Sequence, residues 1–415
     1  MSCLHYRDHE LYVEHVSLTN LAREFGTPCY LYSRNAIEKN FCAFMEAFAE
    51  IPHRLCYAVK SNSNIAILQL LASMDAGFDI VSLGELQRII AAGGHPKKVV
   101  FSGVGKSSHD IEEAIKLGIF CFNVESEPEL ERIAKLAANQ NKTVDIMLRI
   151  NPDIDAKTHS YISTGLRDNK FGMELADLIP LFNKIGGISS VRLIGIGSHI
   201  GSQITELEPF LLAMDHLLVI YATLKEQGIK IRYINIGGGL GITYRNENPP
   251  SVQEYAHALQ KKLGSLPLTL IVEPGRSIIG NAGVLLTRIE YIKTSGDKRF
   301  AIADAGMNDL LRPALYNAWQ DIMPVVKRHE PKLQYDIAGP VCESSDFLGK
   351  ERELAIEPGD LLAIDCAGAY GFCMSSNYNS RCRPPEILVS GHEAYLIRRR
   401  ETIEDTIALE QLVME

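Results

Sequence analysis

Four features of this sequence could do chemistry together. Lys60 stands directly after an apolar run, in Tyr57-Ala58-Val59-Lys60-Ser61-Asn62. Alone it would read as a lysine snorkelling at a strand end. Gly237-Gly238-Gly239 and Gly275-Arg276 offer bare backbone N–H groups and a guanidinium, the donors of a phosphate cradle. His199, in Ser198-His199-Ile200-Gly201-Ser202, supplies an imidazole, and Glu273 supplies a carboxylate. Taken singly, the glycines are a flexible turn and the histidine a core residue. Taken together, a nucleophilic amine, an anion cradle, an imidazole and a carboxylate suit a phosphorylated aromatic cofactor held covalently through the lysine. Pyridoxal 5'-phosphate is the natural candidate, with Glu273 keeping the pyridine nitrogen protonated and His199 flat against the ring.

The elements that must position these residues form one repeating pattern. Between Arg54 and Arg276, short runs rich in β-branched residues alternate with longer stretches of helical periodicity. The runs are 54–59, 77–82, 99–103, 121–125, 145–150, 193–198, 233–237 and 268–273. Eight β-then-α units in such a span predict a TIM (β/α)8 barrel rather than an open doubly wound sheet. Every candidate above then falls at a strand exit, the end of a barrel where reactive residues gather. Asp79 lies in the second strand and Arg149 ends the fifth. Gly103-Val104-Gly105-Lys106-Ser107 only mimics a phosphate loop, because Val100 occupies the position of the required earlier glycine.

After Gly280 the pattern changes to short alternating strands, 287–293, 300–304, 334–338, 361–366, 386–390 and 393–398, which predict a β-rich domain. The alternating piece 29–32 is too short to stand alone, so it should join that domain. The expected division is therefore an N-terminal strand segment over 1–33, a cofactor-binding barrel over 34–280 and a β-rich domain over 281–415.

Composition narrows the partners. The 415 residues are 46% apolar and 22% charged, the balance of a folded globular chain. A net charge of -9 gives no basic excess for nucleic acid or anionic lipid, so a small molecule is the default partner. No stretch reaches the length of a membrane span, and the first residues lack a signal-peptide core. Nine cysteines without a C-x-x-C pair suggest neither a zinc ribbon nor a disulfide framework, which fits a reducing cytoplasm.

Nine motifs stand in a fixed order. They are the Lys60 motif, Asn151-Pro152-Asp153 with Thr158-His159, Lys170-Phe171-Gly172, His199-Ile200-Gly201-Ser202-Gln203, Gly237-Gly238-Gly239-Leu240-Gly241, Glu273-Pro274-Gly275-Arg276, Arg312-Pro313-Ala314-Leu315-Tyr316, Gly339-Pro340-Val341-Cys342-Glu343 and Gly368-Ala369-Tyr370-Gly371. With these the chain resembles the fold-type III pyridoxal-phosphate decarboxylases, and within them the branch that converts meso-diaminopimelate to L-lysine and CO2 in lysine biosynthesis. The resemblance implies that Lys60 carries the cofactor and His199 stacks on its ring. It gives Ser202, Gly239, Gly275, Arg276 and Tyr370 to the phosphate, with Asp79 and Gly238 also at the cofactor and Glu273 on the ring nitrogen. Cys342 becomes the acid that returns a proton after CO2 leaves. Arg276, Arg312, Tyr316, Glu343 and Tyr370 read the far end of the amino-acid substrate. It also implies a homodimer with shared active sites, in which Cys342 and Glu343 reach a neighbouring subunit's barrel.

Three alternatives stay open. A decarboxylase of ornithine, lysine, arginine or carboxynorspermidine would share the fold, but most such substrates leave Arg312 without a second carboxylate to read. A racemase would want a weaker electron sink than a Glu273-protonated ring. A non-catalytic cofactor-binding homologue would have no use for Lys60 and Cys342 together.

Overall fold

The computed structural model describes residues 2–155, 164 and 169–413. Two compact units divide the chain. One comprises residues 40–242 and 248–277, and the other residues 1–39, 243–247 and 278–415.

The first unit is a closed barrel of eight parallel strands. In chain order these are His53–Ala58, Gly77–Ile80, Val99–Phe101, Cys121–Val124, Val144–Arg149, Val191–Gly197, Tyr233–Asn235 and Thr269–Val272. The eighth pairs with the first, so no edge is left exposed. All eight predicted runs are strands, each ending a residue or two earlier than the apolar pattern because the last residues turn out of the barrel. Cys56, Val100, Cys121, Met147, Ile194 and Ile271 pack as one buried cluster, with Phe120, just before strand Cys121–Val124, and Tyr233, the first residue of its strand, beside it. Each such side chain contributes about 1.5–3 kcal/mol. The interior of the barrel is thereby given to packing, and polar groups gather where the strands leave it.

Serine caps start several of the intervening helices. Ser82, Ser126 and Ser251 each accept a backbone N–H of the first turn, and Ser251 with Glu254 forms a full capping box. Gly118 closes helix Ser108–Leu117 in the left-handed conformation, at φ 68°. The phosphate-loop mimic is structural. Ser107 caps that same helix in a capping box with Asp110, and Lys106 is buried in an ion pair with Glu129 at 2.6 Å.

The second unit is built on a sheet in the order Phe347–Leu354, Leu333–Ala338, Lys298–Ala303, Gly283–Ser295, Cys29–Ser33, Glu386–Ser390, Glu393–Arg398. Strands Leu361–Ile364 and Ile322–Pro324 pair with each other, and the former also with Gly283–Ser295. The short strand Cys29–Ser33 lies between Gly283–Ser295, antiparallel, and Glu386–Ser390, parallel, and every one of its residues is buried. Strands Leu4–Arg7, Glu10–Val13, Ile322–Pro324 and Phe347–Leu354 are not anticipated by the apolar pattern. Phe347–Leu354 reads FLGKEREL, where a glycine and four charges hide the alternation that its pairing reveals. Among the described residues, no helix is long and apolar enough to cross a membrane.

Candidate functional site

The barrel mouth is built from the strand exits. The first strand runs into a short 3-10 turn, Val59–Ser61, that holds Lys60. Ser61 Oγ fixes this turn by donating to the Ala58 carbonyl at 2.7 Å. Lys60 Nζ donates to Asp79 Oδ2 at 2.8 Å, and the Asp79 side chain is fully buried. The other carboxylate oxygen, Oδ1, has no hydrogen-bond partner among the described residues, so a second polar group would be welcome there.

From the seventh strand, Asn235 donates to Glu273 Oε1 at 2.5 Å and accepts from the Gly237 N–H at 2.8 Å. Glu273 is buried at the eighth exit. Burial, followed by the charge of Asp79, pushes its carboxyl up to about 8, while Lys60, Asn235 and Arg149 pull the other way. A cation brought against this carboxyl would offset the desolvation that disfavours its charged form.

His199 is held by the backbone. Its Nδ1 lies 3.2 Å from the Gly238 nitrogen, and an amide N–H can only donate, so Nδ1 is the bare nitrogen and Nε2 carries the hydrogen. Burial, then the charges of Lys60 and Arg149, hold the ring well below the usual imidazole range. The hydrogen bond and the surrounding charge both call for a neutral ring.

The glycines allow the strand exits to pack closely on one another. A Cβ on Gly238 would collide with the Glu273 carbonyl, and Gly239 sits at φ +107°, where side chains are strained. Gly275 packs so closely on the Lys60 turn that a methyl would stand 2.9 Å from Ser61 Oγ. Beside them, Arg276 Nη2 donates to Ser202 Oγ at 3.0 Å. The barrel thus brings together Lys60, Asp79, His199, Ser202, Gly238, Gly239, Glu273, Gly275 and Arg276.

The remaining candidates belong to the β-rich unit. Arg312 is buried on helix Arg312–Tyr316, where Nη1 donates to Gln320 Oε1 at 3.2 Å and the guanidinium lies 4.4 Å from the Tyr244 ring centre. Tyr316, at the end of the same short helix, is half-buried. Cys342 and Glu343 are exposed on the loop before strand Phe347–Leu354. The Cys342 N–H donates to Asn379 Oδ1 at 3.0 Å, and the Tyr378 hydroxyl donates to Glu343. Tyr370 turns the chain at φ 56° after strand Leu361–Ile364. Thr158 and His159 lie outside the described residues.

Sequence reasoning passes over several residues of this site. Asn235 connects Glu273 to the glycine loop, and Glu125 accepts from Arg149 at 2.8 Å, from the Gly103 N–H at 3.0 Å and from the Gly172 N–H at 3.1 Å. Glu125 thereby ties the Lys170-Phe171-Gly172 motif to the mouth, and Arg149 lies 4.7 Å from the Phe171 ring centre. The available signal was an Asn and a Glu at the ends of otherwise apolar strands, where such residues are depleted.

The family model described as "Pyridoxal-dependent decarboxylase, pyridoxal binding domain" matches residues 34–280. The diaminopimelate decarboxylase of Pseudomonas aeruginosa is 51% identical over 413 residues, covering 100% of both chains. That of Vibrio cholerae is 52% identical over 409 residues, covering 98% of both. The crystal structure of the Helicobacter pylori diaminopimelate decarboxylase complexed with L-lysine superposes with a TM-score of 0.92 at 43% identity, covering 94% of this chain and 98% of that one. By this match over its whole length, the chain belongs to the pyridoxal-dependent decarboxylases, within the family of diaminopimelate decarboxylases.

Proposed function

We infer that this chain decarboxylates meso-diaminopimelate to L-lysine and CO2 with pyridoxal 5'-phosphate, the last step of lysine biosynthesis. The observation that carries this reading is the set of groups at one barrel mouth, in a chain half identical to diaminopimelate decarboxylases along its length.

The residues fit the cofactor part by part. Gly238, Gly239 and Gly275 sit where a Cβ would collide with neighbouring backbone or with Ser61, so the chain can turn tightly at these strand exits, and Ser202 and Arg276 stand beside them as phosphate donors. Glu273 is a buried acid suited to a basic ring nitrogen, and Asp79 keeps an unused oxygen near the lysine. When bound, the cofactor supplies an electron sink for the pair of electrons left by departing CO2. Every other task falls to the chain. Lys60 carries the cofactor, and Asp79, 2.8 Å from Lys60 Nζ, positions that nitrogen. Neutral His199, anchored by Gly238, offers a flat face to the ring without adding a competing charge. Glu273 keeps a proton on the ring nitrogen. Tyr370 joins the phosphate donors and the substrate contacts. Cys342 returns the proton to the carbon that lost its carboxylate.

For the distal centre, Arg276, Arg312 and Tyr316 suit a carboxylate, and Glu343 suits an ammonium. Cys342 and Glu343 are exposed on a loop of the β-rich unit, which supports a homodimer whose subunits complete each other's sites. In this reading residues 34–280 carry the cofactor, while 1–33 and 281–415 build the β-rich domain, and the enzyme works in the cytoplasm. The test is incubation with meso-diaminopimelate and the cofactor, measuring both CO2 and L-lysine. Turnover of L-ornithine with none of diaminopimelate would overturn the substrate assignment.

A further inference from the structure

Within the β-rich unit lies a pocket of about 250 Å³ whose walls include Ala314, Asn317, Trp319, Ser345, Lys350 and Arg352. No carboxylate lines it. Arg352 is only 6% exposed. Its guanidinium lies 3.2 Å from the centre of the Trp319 ring, which also carries Arg245 at 4.0 Å. Among the described residues its one hydrogen bond runs from Nη2 to the Gln320 carbonyl at 2.9 Å, and its buried Nε has no partner. Asp321 is the acidic group whose charge reaches it, yet burial outweighs that help and pulls the guanidinium down to about 10. The fold makes space for this side chain: a methyl at Gly349 would stand 2.5 Å from Arg352 Nε.

A buried cation without a paired anion costs several kcal/mol, and a packed hydrocarbon would fill the same space without that cost. The charge therefore calls for a ligand of opposite sign. We propose that this pocket binds a small anion, a carboxylate or a phosphate, between Arg352 and Lys350, with Asn317 and Ser345 as further hydrogen-bonding groups. The site is connected to the substrate end. Arg352 bonds the carbonyl of Gln320, and the side chain of that same residue accepts from Arg312 at 3.2 Å. Pro313 and Ala314 of the Arg312 helix also line the pocket. An anion drawing on Arg352 thus acts on Arg312 through one intervening residue. This consequence rests on the reading of Arg312 as the distal-carboxylate contact, whereas the binding itself does not.

The experiment uses the holoenzyme, so that the cofactor fills its own phosphate site. Inorganic phosphate and succinate are each titrated by calorimetry into wild type, Arg352→Gln, Lys350→Gln and Arg312→Ala. We expect saturable binding of at least one anion to wild type and to Arg312→Ala, weakened at least tenfold in Arg352→Gln and several-fold in Lys350→Gln. Which anion binds fixes the chemistry of the site. Lys350 is exposed, so its variant keeps the fold and basal turnover even where Arg352→Gln does not. Saturating anion should change the KM for meso-diaminopimelate in wild type and not in Lys350→Gln. No saturable binding to wild type, or equal binding in wild type and Lys350→Gln, overturns the site. Binding lost in Arg312→Ala would assign the anion to the substrate position instead. Binding without any change in KM overturns the coupling alone, and binding by a protein that does not turn over diaminopimelate overturns the function and leaves the site standing.

Discussion

Replacing Glu273 by Gln in the cofactor-free protein should remove a pH dependence of stability that the buried carboxyl imposes. Its value in the folded chain is pushed up to about 8 from an ordinary 4.5, first by burial and then by Asp79. The folded value is the higher one. Between these limits the native state holds a proton that the unfolded state has released, so raising the pH through this window costs stability. One such proton is worth up to about 1.4 kcal/mol per pH unit. The value of about 8 already includes the opposing pull of Lys60, Asn235 and Arg149, and over the two pH units from about 5.5 to about 7.5 the loss should be about 1–3 kcal/mol. Gln keeps an oxygen to accept from Asn235 and has no proton to lose. The assay is urea unfolding of both proteins at the two pH values, read as the difference between their slopes. Subtracting the variant also cancels the opposite contribution of His199, whose lowered value makes stability fall as the pH drops below the ordinary imidazole range. Wild type should lose stability with rising pH relative to Glu273→Gln, and the difference should shrink in the holoenzyme, where a protonated ring nitrogen would stabilise the carboxylate. Parallel slopes in the cofactor-free proteins would refute the claim that Glu273 is held protonated by burial.

Three further outcomes test the remaining roles. Lys60→Ala should abolish the visible absorption of the bound cofactor, and borohydride trapping with peptide mapping of wild type should label Lys60; a label on another lysine would sink the assignment. Arg312→Ala should leave that spectrum intact while costing about 2–5 kcal/mol in kcat/KM on meso-diaminopimelate. An equal loss on ornithine would show that Arg312 does not read the second carboxylate. Lys60→Ala and Cys342→Ala proteins should each be nearly inactive, yet mixing equal amounts with subunit exchange should restore roughly one quarter of wild-type activity, because half the dimers are mixed and each has one intact site. A mixture as inactive as its components, after exchange is confirmed, would place Cys342 in the site of its own chain.

The eight strand–helix units were legible because a barrel strand must be apolar over its length, and that demand writes short β-branched runs into the sequence. Lys60, His199, the three glycines and Glu273 could be read for the same reason: polar or side-chain-free residues stand out directly after such runs. Strand Phe347–Leu354 could not be read this way, since its place in the sheet rests on pairing with Leu333–Ala338 and not on its own apolar pattern. Tertiary structure alone decided the electrostatic state of the site. Asp79 is nineteen positions from Lys60 and Asn235 is thirty-eight from Glu273, so their bonds exist only because the barrel brings separate strand exits to one mouth. The His199 tautomer depends on a backbone N–H thirty-nine residues away, while its neutral state and the raised Glu273 carboxyl depend first on burial that no local pattern records. Sequence fixes which groups are available, while the sum of desolvation and neighbouring charge, set by the closed sheet, fixes which of them carries a proton.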